Sequence, residues 1–403
     1  MNSNIAQQFK ASGVAQVIVI LRSAGAGVAP DPKAVLRHFR QSEYSQTVML
    51  AAASPAAAPP PAGQFYAHLG ICLGTVDADG LSKLRQLKEA ATVVGAPPLS
   101  IIRPDRVAAA RLTQAKTWGI DRLNIPELWS KGLDGAGVRV AHLDTGADGR
   151  HPALRSALAA FAEFDQFGRE IQPAPSPYDT GDHGTHTAGT IAGRPVRGRY
   201  IGVAPKAELC SAIVIEGGDV VARVLGGMNW AVGLGAKVLS MSLGFRGWWE
   251  DFVPVTRILR ARGVLPVFAV GNEGPGTSRS PGNYSEALSV GAIGQDDKVA
   301  GFSSSDRFLR EQDPLVPDLV APGVDVISAK PQGGYQSMDG TSMATPHVAG
   351  LAALLWQSKP EASVSEVENA LLSSCALPQG IQTDRAGRGR PDAVKALQTL
   401  VGA

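Results

Sequence analysis

The sequence predicts an α/β fold: a parallel sheet covered by helices on both faces, preceded by a small α+β domain. Three observations predict it. From residue 118 onward, short apolar runs alternate with helical segments, the pattern of strands buried on both faces. Residues 1–105 instead read as two successive βαβ units. The chain also has 403 residues, more than a single core usually organises, so two domains are expected.

In the first domain, residues 14–21 form an apolar run of strand length. Residues 31–40 follow as a helix with Pro32 in its first turn, and residues 45–50 as a second strand. Residues 51–63 are an Ala/Pro tract whose composition cannot build a core. Residues 65–76 read as a strand, 77–91 as a helix and 98–103 as a strand. The resulting order is ferredoxin-like, with helices on one face of a sheet. Residues 106–117, polar and Ala-rich, are expected to be a linker. In the second domain, 118–403, strands are predicted at 138–143, 208–215, 237–242, 265–270 and 287–293. Helices at 221–234 and 252–262 lie among the connections, and ligands bind such folds at the carboxyl ends of the strands. Ser363 and Glu366 make a capping box for a helix running to residue 374, and residues 391–400 form a last amphipathic helix.

Composition narrows the partners. Net charge is +2 with both signs interspersed, so neither a nucleic-acid nor a membrane surface is expected. No apolar run approaches the roughly 20 residues of a membrane-spanning helix. Cys72, Cys210 and Cys375 are odd in number and widely spaced, which fits neither a disulfide framework nor a zinc site. Cys210 reads as a small buried strand residue. The N-terminus lacks a secretory pattern, so a cytoplasmic location and export without a recognisable signal peptide both stay open. A monomer is expected.

Four segments gather chemistry. The strand 138–143 ends at Asp144, with Thr145 and Gly146 turning the chain away. Alone, such an aspartate commonly caps a loop. His183 opens a Gly/Ala-rich helix with His186 three residues on; no third ligand or metalloprotease spacing makes that pair a metal site. Asn272, between Gly271 and Gly274 beyond a strand end, can aim its amide into a cleft or simply occupy a turn. Ser342 stands behind Gly340 and Thr341 at the mouth of an apolar helix, beside backbone N–H groups with no intrahelical partner. It can be an N-cap, or a nucleophile whose oxyanion those N–H groups stabilise.

Taken together, in the order Asp, His, Asn, Ser, these segments resemble the subtilase family of subtilisin-like serine peptidases, over about 270 residues. The resemblance implies that Ser342 attacks the scissile carbonyl, His183 relays the proton and Asp144 orients His183. It makes Asn272 an oxyanion-hole donor, with the Ser342 N–H as its companion, and His186 and His347 structural. Ser242, Leu243 and Gly244 resemble the edge strand on which an extended peptide substrate pairs, with Trp248 and Trp249 nearby. Gly271 and the segment 274–282 correspond to the first specificity pocket. Arg279 falls near its base: pointing inward it would favour acidic P1 side chains, pointing outward it would be solvated.

The family's tight calcium site needs oxygen ligands, yet the matching positions here are Ala153, Arg194 and Val196; no metal or other cofactor is expected. Residues 1–105 look like an I9-type propeptide, with the tail and cleavage region around 104–117. The expected protein is therefore a serine endopeptidase made as a zymogen. It would act on proteins or peptides, with its own N-terminal domain as intramolecular inhibitor. Two alternatives are a dedicated processing protease or peptide ligase of the same fold, and a non-hydrolytic peptide-binding regulator.

Overall fold

The computed structural model describes residues 3–22, 30–40, 62–215, 219–310, 313–377 and 380–402. Its centre is a parallel sheet of seven strands. In spatial order these are Leu319–Pro322, Leu288–Ile293, Leu265–Ala269, Val238–Met241, Arg139–Asp144, Glu208–Ile213 and Leu158–Glu163. The strands are mostly apolar and buried because both faces are covered. One face carries the helices His183–Ala192 and Thr341–Ser358, backed by Val364–Ser373 and Ala393–Val401. The other carries Val220–Gly233 and Val253–Ala261. Five of the seven strands match the sequence reading closely. The two outermost, Leu158–Glu163 and Leu319–Pro322, were not expected: the first is Ala-rich and the second ends on proline, and both are weak strand signals. The capping box forms as read, Ser363 accepting from the Glu366 N–H and Glu366 from the Ser363 N–H.

The N-terminal region builds a separate antiparallel sheet in the order Gly63–Tyr66, Ile71–Val76, Ala15–Leu21, Ala90–Gly95. One face, with Val17, Val19 and Cys72, packs on Ile5, Val35, Leu81 and Leu84 from its helices. The other face, with Ile18, Ile71 and Leu73, joins the core beneath Val220–Gly233 and Val253–Ala261. Tyr66 Oη donates to the Ala222 carbonyl at 2.9 Å, and the His68 N–H to Asn229 Oδ1 at 2.8 Å. Helix Ser3–Ser12 was not anticipated.

Several expectations need correction here. Residues 65–76 form a hairpin rather than one strand, turning at Gly70, whose φ is +68°. The helix expected at 77–91 ends at Gln86, and Ala90–Gly95 is the strand that completes the sheet. Of residues 98–103 only Ser100–Ile101 is a strand, and it pairs with Leu243–Gly244 rather than with its own domain. The expected linker contains the strand Arg106–Ala110, paired antiparallel with Tyr335–Asp339. The strand expected at 45–50 and nearly all of the Ala/Pro tract lie outside the described residues. Among the described residues no helix is long and apolar enough to cross a membrane.

Candidate active site

Asp144 ends a central strand and His183 begins the helix packed over it. Two glycines allow the approach. A Cβ on Gly184 would lie 2.1 Å from the Gly146 carbonyl, and one on Gly146, whose φ is +112°, would lie 2.3 Å from the Tyr178 carbonyl. The imidazole Nδ1 then sits 2.8 and 2.9 Å from the two Asp144 oxygens. A carboxylate only accepts, so Nδ1 carries the proton and Nε2 keeps its lone pair. That Nε2 is buried and has no hydrogen-bond partner among the described residues. Asp144 also accepts from the Thr145 N–H at 2.7 Å. Burial opposes its ionisation, but His183 and His142 outweigh that and hold it well below the usual carboxylate range. Burial likewise opposes charging His183, yet Asp144, Asp179 and Asp182 raise it above an ordinary histidine.

Ser342 lies in the first turn of the long buried helix and is itself fully buried. Its hydroxyl donates to the Ile102 carbonyl at 2.9 Å. Asn272 is fixed by its neighbour in the chain fold: its Oδ1 accepts from the Thr341 N–H at 2.9 Å and from Thr341 Oγ1 at 2.8 Å. Because that N–H can only donate, the amide orientation follows, and Nδ2 faces the cleft. There it donates to the Arg103 carbonyl at 2.8 Å. Gly271 has φ +123°, a backbone conformation that L side chains rarely adopt, and a Cβ there would lie 2.9 Å from both Glu273 Oε2 and Ser304 Oγ.

The chain itself occupies this cleft. Ser100 and Ile101 pair with Gly244 and Leu243, and the Ile102 N–H donates to the Ser242 carbonyl at 3.0 Å. Past the serine, the Asp105 N–H reaches the Asp339 carbonyl at 2.7 Å and the ladder of 106–110 begins. Arg279 turns inward and is buried, its Nε 2.9 Å from Glu273 Oε1, with a second guanidinium nitrogen on the same carboxylate. Glu273 is held below its usual range by this guanidinium despite burial. The cation is thus paired within the protein. Sequence reasoning passed over Glu273, because nothing in the loop foretold its partner. Trp249 is half-buried against Phe245 beside the same cleft, whereas Trp248 packs on Tyr284 and Phe308.

The side histidines serve packing. His186 Nε2 meets the Val326 carbonyl at 2.9 Å and His347 Nδ1 the Met343 carbonyl at 2.8 Å; burial pushes them down to about 3 and about 4. The Arg194 guanidinium donates to the carbonyls of Ser156 and Pro205. Sequence reasoning also missed His142, inside the strand that delivers Asp144. Its only signal was a histidine in an otherwise apolar run.

A family model described as the subtilase family matches residues 135–394. M-protease of Shouchella clausii (strain KSM-K16) is 39% identical over 277 residues, 68% of each chain. Subtilisin Savinase of Lederbergia lenta is 40% identical over 260 residues, 64% of this chain and 90% of that protein. The major intracellular serine protease of Bacillus subtilis (strain 168) is 36% identical over 284 residues, 67% of this chain and 86% of that protein.

Proposed function

This chain belongs to the subtilase family, and from that premise we propose that this serine endopeptidase is made as a self-inhibited zymogen, with residues 1–105 as its inhibitor. Hydrolysis proceeds by an acyl-enzyme. Ser342 Oγ attacks the scissile carbonyl carbon as His183 Nε2 takes its proton. Asp144 holds the imidazole in the tautomer that leaves Nε2 basic and stabilises the imidazolium. The tetrahedral oxyanion forms between Asn272 Nδ2 and the Ser342 N–H. His183 returns the proton to the leaving amine, and water then repeats the sequence on the ester. Substrate peptides pair with Ser242, Leu243 and Gly244 by strand addition.

One observation carries the zymogen reading: Ile102 and Arg103 lie across Ser342 and Asn272 as a substrate would. The Ser342 proton goes to a carbonyl oxygen instead of to His183, whose Nε2 is left without a partner among the described residues. The nucleophile is thereby disengaged from its base. N-terminal sequencing after incubation tests this: a cut near residues 102–104 should appear in the wild type and not in Ser342→Ala. Full activity of the uncut wild-type chain would sink the reading.

A further inference from the structure

We propose that His142 is a positioning residue for the reaction, tempering the Asp144 carboxylate through a hydrogen-bond chain that runs by way of Thr187. His142 precedes Asp144 by two residues on one strand, so both side chains project to the same face. It is 1% exposed, and both ring nitrogens are engaged. Nδ1 lies 2.9 Å from Ser211 Oγ, and Ser211 is its direct cross-strand partner. Nε2 lies 2.8 Å from Thr187 Oγ1 and 3.6 Å from Asp144 Oδ2. Thr187 Oγ1 is in turn 3.3 Å from Asp144 Oδ2, on the helix that His183 begins.

One of the two neutral His142 tautomers, the one protonated on Nε2, runs this cluster toward Asp144. A hydroxyl has a single proton, and Ser211 can give its own to Nδ1, leaving the Nε2 proton for Thr187. The Thr187 proton is then free for an acceptor. Its candidates are the His183 and Gly184 carbonyls, at 3.1 and 3.2 Å, and the Asp144 carboxylate. A charged acceptor draws the stronger bond, and a chain of bonds pointing one way reinforces each member. Three polar side chains from two strands and a helix thus form one chain that ends at the buried Asp144 carboxylate.

The chemical consequence has a sign. Donors on Asp144 reduce its pull on the His183 proton, so His183 remains a neutral base to lower pH. His183 is faced by Asp144 from the strand and by Asp179 and Asp182 from the segment before its helix, all favouring its charged form. His186, on its own helix, is buried and neutral. Asp144 is faced by His183 and His142, with the Thr145 N–H and Thr187 hydroxyl completing its shell. The His142–Thr187 chain, together with the Thr145 N–H, works against the three carboxylates.

The test is kcat/KM against pH for the full chain after activation, with His142→Val, Thr187→Val and His142→Gln, on one peptide substrate. Removing the donor chain in His142→Val or Thr187→Val should move the acid limb to higher pH by about half a unit, roughly a threefold loss on that limb. His142→Gln, whose amide NH₂ can still donate to Thr187, should keep the wild-type limb. An unmoved limb in both valine variants, with only lowered Tm or a uniform loss of kcat, overturns the proposal. So does a limb that moves in Thr187→Val but not in His142→Val, or one that moves equally in His142→Gln. Should His142→Val fail to fold, Thr187→Val, which replaces a hydroxyl by a methyl, carries the test alone against the same limb. The proposal rests on Ser342, His183 and Asp144 being the triad; fluorophosphonate labelling of Ser342 checks that reading separately.

Discussion

At the scale of single residues, the pairing of Asp144 with His183 fixes a pH dependence. The base acts neutral, and its proton affinity is raised by the carboxylates around it despite burial. Activity should therefore fall as pH drops through a value above the ordinary histidine value of 6.5, which a profile of kcat/KM reads directly. Asn272→Ala should lower kcat by about 10²–10³ with KM nearly unchanged, because the Nδ2 donor acts on charge that develops in the transition state; the magnitude comes from subtilisin itself. A large rise in KM with kcat intact would instead make Asn272 a simple binding residue. These residues were legible only in company. Asn272 alone reads as a turn, and Ser342 alone as a cap; their order with Asp144 and His183 tipped the reading. Glu273 and His142 were not legible, since a buried polar residue shows its purpose only through partners distant in sequence, Arg279 for one and Thr187 and Ser211 for the other.

At the scale of elements, small residues bring the two site-bearing helices close to their neighbours. A Cβ on Gly350 would lie 2.6 Å from the Val203 Cβ and 3.2 Å from the Ile191 carbonyl, so Thr341–Ser358 depends on glycine there. Gly350→Ala should cost about 1–3 kcal/mol by overpacking, measured by denaturant unfolding, although alanine is the better helix former. An unchanged or higher midpoint would mean that the neighbouring segment yields freely. A long apolar run such as this helix could be read from sequence. The stretch 77–95 could not, because nothing local separates the end of its helix from the start of the next strand. Ser100–Ile101 looked like a domain strand because its apolar character is the same whether it pairs at home or in the cleft.

At the scale of the molecule, the sequence expectation that the family's tight calcium site is absent makes a prediction. The matching positions, Ala153, Arg194 and Val196, offer a hard cation no side-chain oxygen. EGTA should leave Tm unchanged in thermal unfolding; a large drop would reveal calcium bound elsewhere. The division into a small α+β sheet and a large parallel sheet was visible in the sequence. The route of the chain between them was not, since residues 106–110 are ordered by pairing with the distant strand Tyr335–Asp339 and by the Arg106–Asp325 ion pair.

That borrowed strand has a lasting effect. On the proposed zymogen reading, a cut near residue 103 breaks the chain between the N-terminal domain and the enzyme, yet residues 106–110 stay covalently joined to the enzyme, paired with Tyr335–Asp339. Their effective concentration there is set by a short tether, in the millimolar range typical of such links, and dilution does not lower it. On the same reading, a substrate extending well beyond its cleaved bond would have to displace this strand at every turnover. A peptide that ends soon after that bond has much less of it to displace.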